Sequence, residues 1–232
     1  MKKDEETEKQ VGNVIGAGHP LGNKMYYSSN YDSSDWKNSI WSFDLSTREA
    51  NKILSKEQYE NISFISGTQD NLLLESSKEL GTDSLVIELI GDDSIIEHIV
   101  AGHIINVSPD GDNIVYRVLE EEGLLDNKLG IYYVGTKEHH EISGIPDNYL
   151  FNNYVTWNDS GTKLAFLGIY IEEDFQEKHA LMVYDLTTDN LIQISEPEES
   201  PFQAGEDNIE FENDTVINMP TTKGTFLSVT LN

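Results

Sequence analysis

The side chains of this chain with the most chemical potential are its carboxylates, and they are unevenly spread. Three stretches, Asn30–Asn38, Glu120–Lys128 and Tyr170–Lys178, hold Asp32, Asp35, Glu120, Glu121, Glu122, Asp126, Glu172, Glu173, Asp174 and Glu177. Only Lys37, Lys128 and Lys178 oppose them there, and Tyr31, Trp36, Tyr170 and Phe175 are interleaved. Exposed aromatics amid like charge make a face for a cationic or amphipathic partner, with cation–π contact as one mechanism. The plainer alternative is that these residues line long solvated hairpin loops.

Other constellations carry less. Asp110-Gly111-Asp112-Asn113 makes calcium a candidate, since hard cations take clustered carboxylates, but it lacks EF-hand spacing and a tight turn accounts for it. His98, His139 and His140 fall at or near expected outer strands, where a ligand triad is hard to assemble, and His19 and His103 fall where repeat units begin. Gly16-Ala17-Gly18-His19-Pro20-Leu21-Gly22 has the wrong glycine spacing for a dinucleotide loop and precedes a strand. No Gly-x-Ser-x-Gly nucleophile elbow is present. A glycosidase needs two carboxylates on facing elements, and the expected innermost strands offer only Glu210. No cofactor is therefore expected.

The overall charge narrows the partner class. Forty-two acids against 15 bases give a formal charge of −27. Such a field repels phosphate backbones and anionic lipid, so nucleic acid and membrane surface are poor partners. No run approaches the roughly 18–20 apolar residues of a membrane span, and none of the 232 residues is cysteine, which removes disulfides and thiolate chemistry. Residues 1–10 are charged and polar, with no apolar stretch of the signal-peptide kind. In a mature form they read as the tether behind a cleaved signal or lipid anchor, which implies an extracytoplasmic or cell-surface protein. Otherwise the protein is cytoplasmic.

The elements that position these residues repeat. Five times a β-run is followed by a Gly/Asp/Asn turn and a second β-run, clearest at Ile104–Tyr116 and Val155–Phe166. Equivalent positions 25, 72, 114, 164 and 216 are separated by 47, 42, 50 and 52 residues. A third strand rich in β-branched and aromatic residues follows in each unit, and a fourth in all but the last. Units one and four share a turn, Phe43-Asp44-Leu45-Ser46-Thr47 against Tyr184-Asp185-Leu186-Thr187-Thr188. A unit of this size cannot bury its own apolar faces, so the units must stack. Four antiparallel strands per repeat is the blade of a β-propeller. The expected fold is all-β, with about five blades over residues 11–232 behind a polar tail of residues 1–10, the last blade lacking its fourth strand.

Ser108-Pro109-Asp110-Gly111 followed by Asn113-Ile114-Val115-Tyr116 resembles the box of TolB-type, WD-like propellers, which also occurs in dipeptidyl-peptidase propeller domains. Trp157-Asn158-Asp159-Ser160-Gly161-Thr162-Lys163-Leu164-Ala165-Phe166 is a close variant, while units one, two and five keep only the turn chemistry. The resemblance implies a propeller that binds proteins or small ligands, not a particular reaction. The expectation is a non-catalytic module for a protein or peptide, with a carbohydrate-active propeller enzyme or a propeller fragment of a larger protein as alternatives.

Overall fold

The fold is that of a computed structural model, which describes residues 14–29, 39–55, 62–68, 70–76, 84–90, 94–119, 125–146, 149–171, 177–195, 198–199, 209–220 and 226–231. The chain divides into two compact units, Met1–Val100 and Ala101–Asn232. No helix occurs among the described residues.

The first unit holds two four-stranded antiparallel sheets with strands in chain order. One contains β1 (Val14–Leu21), β2 (Lys24–Ser29), β3 (Ser39–Asp44) and β4 (Ala50–Leu54). The other contains β5 (Ile62–Gly67), β6 (Asn71–Ser76), β7 (Ser84–Ile90) and β8 (Ile95–Val100). Leu21, Tyr26, Ile40, Leu54, Ile62, Leu72, Leu74, Ile87 and Leu89 form one buried cluster between the sheets. The His19 ring stacks on Phe64 with centroids 4.0 Å apart, adding an aromatic contact from sheet to sheet.

The second unit holds three sheets. The first is β9 (Gly102–Val107), β10 (Asn113–Leu119), β11 (Leu125–Tyr133) and β12 (Glu138–Glu141). The next is β13 (Tyr149–Trp157), β14 (Lys163–Ile171), β15 (Glu177–Asp185) and β16 (Asn190–Gln193), with β17 (Glu198–Glu199) also pairing to β15. The last has three strands, β18 (Glu210–Asn213), β19 (Val216–Pro220) and β20 (Phe226–Thr230). In β14 and β15 the apolar run is continuous because both faces are covered. Leu164, Phe166, Met182 and Tyr184 join one buried cluster, while Ala165, Leu167, Leu181 and Val183 join another. Side chains alternate sides along a strand, so a sheet buried on both faces needs apolar residues at consecutive positions.

One backbone bond recurs as a signature of the repeat. It runs from the residue just past the third strand back to the first turn. Leu45 N donates to Asn23 O at 3.0 Å, Val134 N to Asp112 O at 2.9 Å, Leu186 N to Thr162 O at 2.9 Å and Leu231 N to Thr215 O at 2.7 Å. The shared Asp44 and Asp185 turns also match. Asp44 Oδ1 accepts from Ser46 N at 2.8 Å and Thr47 N at 2.9 Å, and Asp185 Oδ1 from Thr187 N at 2.9 Å. The backbone donor of Thr47, then that of Ser46, holds the Asp44 carboxyl below the ordinary range, and Thr187 does the same for Asp185.

Some strands outrun the sequence reading. The stretches Glu120–Lys128 and Tyr170–Lys178, expected as long loops, are cut short at their ends: β11 begins at Leu125, β14 runs to Ile171 and β15 begins at Glu177. Between β14 and β15 backbone pairing continues through polar residues because a ladder bond needs an N–H and a C=O, not an apolar side chain, while the β10–β11 ladder shifts register between Arg117 and Leu119. Strand β18 likewise runs to Asn213, so this innermost strand carries Glu212 beside Glu210.

Candidate functional site

Of the acidic and aromatic residues singled out in the three stretches, Tyr31, Asp32, Asp35, Trp36, Glu120, Glu121, Glu122, Glu172, Glu173, Asp174 and Phe175 lie outside the described residues. Asp126 falls within β11, and Tyr170 within β14, opposite both Tyr149 and Lys178. The stems of the connections are paired: Ser29 lies opposite Ser39 and Ile171 opposite Glu177, and Leu119 lies opposite Leu125 beyond a register shift. Each is the second-to-third-strand connection of its sheet. On the β11 stem, Lys128 Nζ reaches Glu141 Oε1 at 3.4 Å, an exposed pair worth little by itself.

In the second unit the first-to-second-strand turns meet from sheet to sheet. The Ser108–Asn113 and Asn158–Lys163 turns have the same bonds: Gly111 N donates to Ser108 O at 2.9 Å and Gly161 N to Asn158 O at 3.0 Å. Gly111 and Gly161 sit at φ 79 and 66, where a side chain is strained. A Cβ on Gly161 would also lie 3.0 Å from Asp110 Oδ2, so the aspartate packs against the next turn. Asn158, fully buried, donates from Nδ2 to Asp214 Oδ1 at 2.9 Å and accepts at Oδ1 from Thr162 N at 2.9 Å and Lys163 N at 2.8 Å. Asp110 Oδ1 is occupied in its own turn, accepting from Ser108 Oγ at 2.5 Å and Asp112 N at 3.1 Å. Among the described residues no three His, Asp or Glu side chains gather as metal ligands would.

A second constellation was not legible beforehand. Tyr184 on β15 donates to Asp189 Oδ1 at 2.5 Å, and its Oη lies 2.8 Å from Nε2 of His140 on β12. His140 Nε2 is also 3.1 Å from Asp189 Oδ1. Burial, then the bond to Asp189, pushes the Tyr184 phenol far above its ordinary value, and the same bond, then His140, lowers the Asp189 carboxyl. A phenol held this firmly in its neutral form is a poor base or nucleophile at neutral pH. The group acts as a clamp between adjacent sheets. Beside it, Tyr116 Oη lies 3.1 Å from His139 Nδ1, and the Tyr116 ring covers Gly130, where a Cβ would come within 2.3 Å of it. Residues 140, 184 and 189 share no local pattern, so only the packing of sheets brings them together.

A further histidine contact joins two strands of one sheet. His98 is 2% exposed, and its Nε2 lies 3.1 Å from Glu88 Oε2, while Glu88 Oε1 accepts from Asn71 Nδ2 at 2.7 Å. Glu210 and Glu212 are both exposed on β18, and Glu212 Oε2 accepts from Asn218 Nδ2 at 3.4 Å.

No family model matches the chain, and no curated protein is significantly similar to it. Solved structures are similar in fold. The β-propeller domain of the Trilobed protease from Pyrococcus furiosus matches 90% of this chain and 65% of its own, at 12% identity and TM-score 0.56. Oligogalacturonate lyase from Vibrio parahaemolyticus matches 90% of this chain and 62% of its own, at 12% identity and TM-score 0.56. TolB from Acinetobacter baumannii matches 94% of this chain and 54% of its own, at 14% identity and TM-score 0.45. The chain thus spans less than two thirds of the length of each. The first two, a protease domain and a lyase, share an architecture and not a chemistry, so the likeness carries fold alone. Among the described residues, five antiparallel sheets of sequential strands, the last three-stranded, together with these neighbours, give an all-β architecture of β-propeller fold.

Proposed function

We propose that the chain is a non-catalytic propeller that binds a protein or peptide of net positive charge through its second-to-third-strand connections. The observation that carries this reading is the paired stems at Ser29/Ser39, Leu119/Leu125 and Ile171/Glu177. They close the equivalent connection in three different sheets, and those connections hold Asp32, Asp35, Trp36, Glu120, Glu121, Glu122, Glu172, Glu173, Asp174 and Phe175. The formal charge of −27 attracts cationic partners and accelerates their encounter at low salt. Asp126 and Tyr170, placed in strands, belong to the walls of these connections. An extracytoplasmic or cell-surface location goes with this reading, as does the absence of any cofactor requirement.

The test is calorimetric titration with a capped Arg/Lys-rich peptide at low and high salt. Binding that weakens with salt, and falls about tenfold in Trp36→Ala/Phe175→Ala, supports the reading. Equal binding by wild type and double variant sinks it. A carbohydrate-active enzyme is the second reading, and β18 favours it only in that Glu210 and Glu212 are both exposed there. Release of reducing ends from an oligosaccharide panel, abolished in Glu210→Gln, would replace the binding module with this alternative.

A further inference from the structure

Among the described residues, β4, β8, β12 and β16 are outermost strands that each pair with one neighbour. Sheet edges avoid unwanted pairing by being short, charged or covered. Strand β12 is four residues long, two acids and two histidines, with Tyr184 and Asp189 against His140. Strand β16 is also four residues. Strand β4 exposes Asn51 and Lys52, and Lys52 Nζ lies 5.3 Å from the Trp41 ring centroid. Strand β8 relies on a single exposed charge, Glu97. It runs six residues and leaves Ile95 42% and Ile99 64% exposed, with Glu97 between them.

The ladder sets which backbone groups this edge presents. Ile90 N donates to Ser94 O at 3.0 Å, and pairing then runs without a shift from Leu89↔Ile95 to Ser84↔Val100. Hydrogen-bonded and non-bonded pairs alternate in an antiparallel ladder. Ile96, His98 and Val100 therefore bond to β7, and the N–H and C=O groups of Ile95, Glu97 and Ile99 point away from it. The residues with outward backbone groups are the ones with exposed side chains. They share a sheet face with Leu85, Ile87 and Leu89, of which Ile87 and Leu89 belong to the buried cluster. Ile95 and Ile99 thus carry the apolar face of the core out to the surface.

We propose that β8 is a strand-addition edge for an extended segment of a partner protein in which apolar, basic and apolar side chains alternate. Main-chain bonds supply affinity in this mode, and alternate side chains supply specificity. Valine-like side chains face Ile95 and Ile99, and a lysine or arginine faces Glu97. Charge selects this occupant over a second copy. A two-fold pairing centred on Glu97 sets that carboxylate against itself and joins two chains of charge −27. The edge is separate from the connections invoked above, so either reading can fail alone.

The test is titration of the whole chain with the capped peptide TVTKTVT, followed by backbone amide NMR, with TVTETVT as its counterpart. Saturable shifts centred on Ile95, Glu97 and Ile99, seen with the lysine peptide and not the glutamate one, are expected. Ile99→Lys weakens binding by about tenfold or more, and Glu97→Lys reverses the preference between the peptides. Both are surface substitutions, and an unchanged melting temperature shows that each variant remains folded. Trp36→Ala/Phe175→Ala leaves this binding unchanged. Shifts absent or centred elsewhere, wild-type binding by Ile99→Lys, loss in Trp36→Ala/Phe175→Ala, or a dimer in sedimentation that Ile99→Lys dissolves would each overturn the proposal.

Discussion

The two units join their sheets by different means. In the first, one cluster of aliphatic and tyrosine side chains fills the space between two sheets, with His19 stacked on Phe64 at 4.0 Å. In the second, two buried clusters flank the β13–β16 sheet, and directed polar bonds cross from sheet to sheet as well. Asn106 Nδ2 donates to Val155 O at 2.8 Å, Asn158 Nδ2 to Asp214 Oδ1 at 2.9 Å, and Tyr184 Oη lies 2.8 Å from His140 Nε2. Apolar burial is strong and non-directional, whereas a buried hydrogen bond is modest in net energy and costly when its partner is missing. The second unit therefore specifies how its sheets meet more sharply than the first.

Breaking that comparison at its apolar base has the largest expected effect. Phe166→Ala in the second unit should cost about 3–5 kcal/mol, and Leu74→Ala in the first about 2–5 kcal/mol, because both side chains are fully buried. Denaturant unfolding followed by circular dichroism reads both. Comparable losses mean that the units differ in their polar contacts and not in their cores.

The polar contacts separate the units more cleanly. Asn158→Ala removes a fully buried amide that bonds four partners, Asp214 among them, and should cost about 2 kcal/mol. His19→Ala removes a half-buried stacked ring and should cost less, about 1 kcal/mol. Equal costs in the same unfolding measurement would erase the distinction drawn between the units.

The Tyr184 clamp adds a pH signature. Its folded-state phenol titrates above the unfolded value, so its contribution is complete below about pH 10 and is lost as pH rises beyond it. Asp189 is shifted the other way: its contribution is present above about pH 4 and lost as pH falls through its lower folded value. Tyr184→Phe should cost about 1–2 kcal/mol at neutral pH and flatten both limbs of a melting-temperature profile. Unchanged limbs would show that the clamp is incidental to stability. The smallest effect is expected at Lys137, a non-glycine residue at φ 60 in the β11–β12 turn. Lys137→Gly relieves left-handed strain of about 1–2 kcal/mol but loosens the unfolded chain, for a net gain of about 0.5 kcal/mol. Thermal unfolding decides the sign.

Much of this fold was readable in advance because its signals are local. Turns such as Ser108–Asn113 and Asn158–Lys163 are written in glycine, asparagine and aspartate, and the apolar run Leu164–Leu167 marks a strand buried on both faces. The matching Asp44 and Asp185 turns were visible as near-identical strings. Strand ends were less legible. Glu177 and Lys178 look like loop residues by type, yet hairpin pairing extends through them, while Asp126 and Lys128 fall in a register shift of β11. The candidate site was legible only as a composition, acidic and aromatic, in three connections of equivalent position.

What the chain determines by itself is the blade: alternation has a period of two and turns need particular backbone angles, and both act between near neighbours. It also determines the sign of the protein's own field, since charge adds up without regard to shape. Tertiary structure alone decided that His140 meets Tyr184 and Asp189 across 44 and 49 positions, that Asn158 reaches Asp214 across 56, and that Ile95 and Ile99 stay exposed while Ile87 is buried. Those outcomes depend on which sheet faces which and where a sheet ends, and no local pattern encodes either.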